Sequence, residues 1–343
     1  MASNSSSSSS SFAGTIHFNQ SYLDYQLNLN QFPTYLAVIP WIYMIPGFLV
    51  NLRIFRVYQN SNWQRPEPGK NQHVFLIISL SQFTCFAFFL FDYLMIRLPA
   101  TGVFTSVCAG ITPNHWLKMV FFATFYTNYS AMIFPFLMPV IRLMIVCFPK
   151  SHNKINANLV RFGVPIILIY PIFFTFFLIP AVGVCRQIGH PYPFGAIHVY
   201  YAGAAFGLRN SYFYLGNTLF WMISSILANL VLFFQVAKAR SKLISLQKNG
   251  VSYRAETSIT ITTVSMIAFY VTNGIFVLIY ILFYGTSVYM SYTTIIRPFG
   301  NDMQCCVVSW VFYLTHPVFR RRKTQETDVV FSTSSFKRRM RST

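Results

Sequence analysis

From residue 35 onward, long apolar runs alternate with short polar ones. Seven runs approach or exceed the roughly 20 residues that a helix needs to cross a bilayer. They cover 35–52, 74–96, 116–147, 159–182, 211–237, 257–284 and 293–318. The second, VFLIISLSQFTCFAFFLFDYLMI, holds a single ionisable group, Asp92. The third, 32 residues long, exceeds an upright span, so its helix is expected to tilt or project. The seventh is interrupted by Arg297, Pro298 and Asp302. Val, Ile, Phe and Tyr are abundant, but barrel strands alternate over about 10 residues, and these runs are apolar throughout. A helix satisfies its own backbone in lipid. The pattern therefore predicts an all-α fold, a bundle of seven transmembrane helices over 35–318. Pro40 and Pro46 in the first run, Pro135 and Pro139 in the third, and Pro165, Pro171 and Pro180 in the fourth are expected to kink their helices.

The flanks read differently. Residues 1–34 contain a serine run at 5–11 and one charged residue, Asp24. That composition offsets little of the entropy of ordering, so a mobile extracellular tail is expected. It lacks the basic and apolar regions of a signal peptide, and the first span is expected to direct insertion. Residues 319–343 read as a basic cytoplasmic tail, with Ser and Thr at 332–335 as weak phosphorylation candidates.

Composition removes the soluble alternative. Charged residues are 10% of the chain, against about 25% in globular domains. Apolar residues are 54%, with 37 Phe, and the mean hydropathy is +0.47. A net charge of +19 would suggest a nucleic-acid partner in a soluble protein, but the placement of the charges argues otherwise. With the N-terminus outside, 21 of the 26 basic residues fall on the inner side. They are Arg53, Arg56, Arg65 and Lys70; Arg142, Lys150, Lys154 and Arg161; Lys238, Arg240, Lys242, Lys248 and Arg254; and eight from Arg320 on. The outer side keeps Arg97, Lys118, Arg186, Arg209 and Arg297. This is the positive-inside distribution. It predicts a multi-pass membrane protein with its N-terminus extracellular and C-terminus cytoplasmic, a lipid bilayer as partner and no nucleic acid.

Six cysteines supply a second test of orientation. Cys85, Cys147, Cys305 and Cys306 fall within spans, where a small buried apolar role is the plain reading. Cys108 and Cys185 land outside, in an oxidising compartment, and no other pair is left there. A bridge between them is expected, tying the second outer loop to the top of the third helix. Asn4 and Asn19 open N-x-S sequons on the outer tail. A third match at Asn128 lies within a span and is set aside.

Catalytic patterns are missing: no H-E-x-x-H, G-x-S-x-G, P-loop or G-x-G-x-x-G occurs, and the seven His show no metal-ligand spacing. No enzyme activity and no cofactor are expected. Ionisable groups inside a membrane merit a functional reading. Asp92 and Asp302 either face an outer cavity and meet a ligand or pair locally, Asp92 with Arg97 and Asp302 with Arg297. Aromatics crowd the outer halves of the helices, among them Tyr126 and Tyr280, and such residues line small-ligand pockets as well as mark the interface. Arg142, near the inner end of the third span, either pins the inner helix ends and meets a partner's helix C-terminus or snorkels to the headgroups. Lys150, Lys154, Lys238 and Arg240 extend a basic inner face that either meets a partner or satisfies topology alone.

Five stretches carry a resemblance: NQHVFLIISLSQ (71–82), DYLMIRLPATG (92–102), RLMIVCFPKSHNKIN (142–156), IPAVGVCRQIGHPYPFGAI (179–197) and LRNSYFYLGNT (208–218). Through them the chain resembles nematode serpentine chemoreceptors of the class gamma superfamily, most closely serpentine receptor class U. The resemblance implies a G-protein-coupled-receptor-like bundle at the plasma membrane, chemosensory, signalling through a heterotrimeric G protein. The chain departs from the larger rhodopsin-like group. Ile141 precedes Arg142 where that group has an acid, the sixth span has no proline, and 315–323 only faintly matches the usual end of the seventh helix.

The expected function is binding of a small external ligand between the outer halves of helices three, five, six and seven, reported by inner loops two and three to the G protein. A ligand-gated channel or carrier, with Asp92, Asp302 and Gln82 along a path, is the alternative, and a non-signalling scaffold is a third reading.

Overall fold

The computed structural model describes residues 14–61, 71–243, 250–282 and 287–319. Seven long helices form a bundle: α1 (Phe32–Gln59), α2 (Gln72–Ala100), α3 (His115–Cys147), α4 (His152–Leu178), α5 (Asn210–Leu243), α6 (Gly250–Leu282) and α7 (Ser287–Thr315). The first four, and α5 as far as Lys238, are long and apolar enough to cross a membrane. Most helices extend beyond the apolar runs, because capping residues and polar turns lie outside the hydrophobic stretch. Asn71 opens α2 by accepting from the backbone N–H of His73 and Val74. Asn114 opens α3 by accepting from Leu117. Both satisfy N–H groups that a helix start leaves orphaned.

Proline punctuates the bundle. Pro40 and Pro46 lie inside α1, Pro139 in α3, Pro165 in α4 and Pro298 in α7. Pro135 cannot donate a backbone bond, and α3 breaks just before it, at Met132 and Ile133. In α2 the turn Tyr93–Arg97 widens to a π-helix immediately before Pro99, with Leu98 N–H reaching Tyr93 O. A proline ring crowds the turn before it, and a π turn is one way to absorb that.

Among the described residues, two large apolar cores and a smaller one around Met44, Cys85 and Cys305 fill the bundle. One large core joins Ile54, Phe75, Ile78, Met138, Ile141 and Phe312. The other, nearer the opposite end, joins Phe121, Phe125, Tyr129, Phe177, Tyr201 and Tyr214. Val38, Ile42 and Leu49 of α1, Phe162, Ile166 and Phe173 of α4, and Phe220, Leu227 and Phe233 of α5 are exposed. That much outward apolar surface needs a lipid neighbour.

The all-α description holds for the bundle. The sheet among the described residues is an antiparallel hairpin, β1 (Val182–Gln187) and β2 (Ile197–Ala202), between α4 and α5. Its side chains alternate along β2 (IHVYYA) with period 2, within the stretch that the hydropathy pattern leaves as an outer loop. Backbone bonds between Asn114 and Gly183 seat the hairpin on the start of α3. Gly183 is obligatory there, since a Cβ would stand 2.1 Å from the Lys118 backbone nitrogen. Cys108, on a short helix Thr105–Gly110, is disulfide-bonded to Cys185 of β1.

The expected mobile tail needs correction from residue 14 on. Thr15 bridges Arg186, Ile16 N–H donates to Cys185 O at 3.1 Å, and Ile16 is buried. His17 joins two segments, through Nδ1 to Ile111 O and by accepting Cys185 N–H at Nε2. Tyr22 and Tyr25 pack on Phe194 of the hairpin turn. The serine run that suggested disorder lies outside the described residues, whereas 14–31 carries enough apolar groups to anchor it.

Candidate functional site

A cavity of about 380 Å³ lies beneath the hairpin. Met95 and Ile96 of α2, Phe121 and Phe125 of α3, and Asn210, Ser211 and Tyr214 at the start of α5 wall it. Phe276 of α6 and Ser291, Thr294 and Arg297 of α7 complete the floor and far wall. Gln187, His198, Val199, Tyr200 and Tyr201 of the hairpin form the roof, with Arg209 beside them. Local bonds fix these elements. Tyr129 donates to Asn210 Oδ1 at 2.9 Å, and the Asn210 N–H reaches the Tyr201 hydroxyl at 3.4 Å. Gln187 pins the hairpin turn, donating to Pro193 O and accepting from Gly195 N–H. Arg186 stacks over Tyr200 with its guanidinium 4.7 Å from the ring centre. His198 is half-buried and faces Arg186 across the hairpin. Burial, reinforced by that cation, pushes its imidazole down to about 4, so the ring meeting the cavity is neutral near pH 7.

Beside the cavity, two ion pairs cross between α2 and α7. Arg97 donates to both carboxylate oxygens of Asp302 at 2.7 and 2.8 Å. Arg297 donates to Asp92 at 2.7 Å. Tyr43 of α1 also donates to Asp302, at 2.5 Å, and Phe89 and Phe299 lie against the Arg97 guanidinium. The local pairs Asp92–Arg97 and Asp302–Arg297 are therefore corrected: each acid takes the arginine of the other helix. The π turn explains part of this. Its i to i+5 bonding stacks residues five apart, so Asp92 and Arg97 share the face toward α7.

At the other end of the bundle, Arg142 is buried and does not snorkel. It donates to Thr260 at 2.7 Å and Thr263 at 3.5 Å of α6, tying α3 to α6. Lys150 between α3 and α4, Lys154 in the first turn of α4, and Lys238 of α5 are exposed at this same end. Arg240 lies on α5 there, with its side chain outside the described residues.

The structure thus brings Cys108 and Cys185 together and sets the basic candidates at one end. It does not place Asp92 or Asp302 on the cavity wall; Arg297 stands there in place of its partner. Tyr126 is also absent from the wall, because its hydroxyl is spent on Leu168 O of α4 at 2.5 Å. The Tyr280 side chain and Asn4 lie outside the described residues, and Asn19 is exposed at the start of a single helical turn. Cys147, expected to be buried, is exposed at the end of α3. The roof residues were missed with the hairpin, although β-branched and aromatic residues at alternate positions after a Gly-Pro-rich turn are a strand signal.

A bundle of membrane-length helices, roofed at one end and tied by a buried arginine at the other, is the architecture of a multi-span membrane receptor. The sequence model of the family described as "Serpentine type 7TM GPCR chemoreceptor Sru" matches residues 16–322. Serpentine receptor class U-26 of Caenorhabditis elegans is 39% identical over 271 residues, which is 78% of this chain and 91% of that protein. The chain belongs to the Sru family. It is a multi-pass membrane protein, a chemosensory serpentine receptor of the GPCR-like superfamily, and not an enzyme.

Proposed function

We propose that the chain crosses the plasma membrane seven times, with the hairpin end and N-terminus outside, binds a small ligand in the roofed cavity and signals through a heterotrimeric G protein at the opposite end. The cavity carries this reading: a partly open space of about 380 Å³, lined by aromatic, aliphatic and polar side chains, falls in the size range of small-molecule sites, about 300–1,000 Å³. The Cys108–Cys185 disulfide favours an exterior position for that end, since such bonds persist in oxidising compartments. Exposed Asn19 would accept a glycan on the same side. Residues 14–31 then belong to the extracellular cap, and 319–343 to the cytoplasmic tail.

At the inner end, Arg142 holds α3 against α6, while Lys150, Lys154, Lys238 and Arg240 offer a basic face. A positive group there suits the partial negative charge at the C-terminus of a partner helix. A ligand shifts the bundle between two arrangements only by its differential affinity for them, and helix α6 is the element that Arg142 restrains. In cells co-expressing a G protein, Arg142→Ala is expected to abolish ligand-driven nucleotide exchange while surface expression persists. Normal exchange in that variant would remove Arg142 from the mechanism.

A further inference from the structure

We propose that the cavity beneath the hairpin takes a small organic anion, an apolar body ending in a carboxylate, gripped at its charged end by Arg297. The proposal rests on the ligand-receptor reading above and adds to it the chemical class of the ligand. Among the described residues, two arginines line the cavity, Arg209 and Arg297, and no acidic residue does. Asp92 satisfies Arg297 from behind, outside the cavity wall, so the pair turns its cationic half to the void. Among the described residues, the Arg297 guanidinium makes one hydrogen bond, from Nη2 to Asp92 Oδ1. An arginine offers five N–H groups in a planar fork that suits a carboxylate.

A second donor waits nearby. The Tyr214 hydroxyl lines the same cavity and is buried. The Asn128 side chain is its hydrogen-bond neighbour, and the phenol proton has no acceptor among the described residues. Leaving a buried donor unsatisfied is unfavourable, and a carboxylate oxygen would satisfy it. Phe121 and Phe125 supply apolar wall for the rest of the molecule. At the mouth of the bundle the described residues present Lys118, Arg186 and Arg209 against Asp24, a field that draws anions inward. A cationic ligand would enter this field without a counter-charge, and a neutral hydrocarbon would leave the donors unpaired.

The test uses purified full-length receptor in nanodiscs and three matched probe series. These are phenylalkanoates and C6–C12 alkanoates, the corresponding amides, and the corresponding amines, scored by thermal stabilisation and by titration. Acids are expected to stabilise the receptor and amines are not, with the amides much weaker than the acids. The double variant Asp92→Asn/Arg297→Gln removes both charges of the pair and so avoids a buried unpaired ion. It is expected to weaken acid binding about ten- to hundred-fold, the worth of a charge-assisted hydrogen bond. Asp92→Asn alone removes the competing carboxylate and is expected to bind acids more tightly than the parent. Stabilisation by amines, equal binding of acids by parent and double variant, or no stabilisation by any acid overturns the proposal. Because no G protein is present, the result is separable from the signalling reading. Acid binding without nucleotide exchange would sink only the latter, and exchange driven by an amine would sink only the former.

Discussion

Neutralising the four charges between α2 and α7, singly and in pairs, tests the crossed pairing directly. The variants are Arg97→Gln, Asp302→Asn, Asp92→Asn and Arg297→Gln. Arg97 and Asp302 have side chains 5% and 1% exposed and share two short bonds. Removing one partner strands the other charge in the bundle, at a cost of about 3–5 kcal/mol. The double variant removes both, and the cycle is expected to return a coupling energy of about 3 kcal/mol, near the upper end for contacting residues. Arg297 and Asp92 share one bond, and the Arg297 side chain is 15% exposed, so about 1–2 kcal/mol is expected, the scale of a partly solvated charged hydrogen bond. The cycles for Arg97 with Asp92, and for Arg297 with Asp302, should fall clearly below both. Buried thiols offer the assay. Cys305 and Cys306 sit one turn from Asp302, and Cys85 packs with them, so a thiol-reactive dye reports thermal opening of this region once exposed Cys147 is changed to Ser. Coupling concentrated in the two same-helix pairs would refute the crossed arrangement and the π-turn explanation with it.

Two further outcomes concern the roof. Gly183→Ala places a methyl 2.1 Å from the backbone of Lys118 and 2.5 Å from that of Leu117. It should lift β1 off α3, destabilise the cap by roughly 1–3 kcal/mol or more as overpacking does, and leave limited proteolysis cutting near the hairpin; an uncut, parent-like melt would contradict the seating. His198 holds its proton more weakly when folded, near 4, than in an unfolded chain, near 6.5. The unfolded state therefore takes up the proton first as pH falls, and stability drops between about 6.5 and 4, by at most about 3 kcal/mol for this group. Melting curves from pH 7.5 to 4.5 should show that loss in the parent and a shallower one in His198→Gln; parallel curves would remove His198 as the cause.

What the amino-acid order revealed, and what it hid, follows from the range of the forces involved. Span positions were legible because lipid imposes a local rule: each crossing must be apolar over its own length. The Cys108–Cys185 pair was legible because orientation left only two candidates outside. The partners of Asp92 and Asp302 were not, since each lies 205 residues from its arginine, and a same-helix arginine stood five residues away as the nearer reading. The π turn that aligns Asp92 with Arg97 has no signature beyond Pro99. The hairpin was hidden by its setting: IHVYYA alternates over only six residues, in a stretch between two apolar runs that hydropathy leaves as an outer loop. The same blindness cost the cavity its roof, and with it Arg209, His198 and Tyr200.

Arg297 belongs to two assemblies at once, and this constrains how occupancy of the cavity reaches the helices. Its guanidinium lines the cavity and also fastens α7 to Asp92 of α2. A carboxylate arriving on the cavity side competes with Asp92 for the same positive charge, so the bound anion weakens one of the two α2–α7 fastenings. The other, Arg97 with Asp302 and Tyr43, lies off the cavity and keeps its bonds. The proposed anion is therefore expected to produce a hinge rather than a separation, with α7 pinned at Asp302 and freer around Arg297. The free energy available for that motion is bounded by the worth of the Arg297–Asp92 bond, because a ligand moves an equilibrium only by its differential affinity for the two states. Asp92→Asn should accordingly bind acids more tightly yet transmit less of that binding to the far end. Tighter binding accompanied by undiminished transmission would place the coupling elsewhere in the bundle.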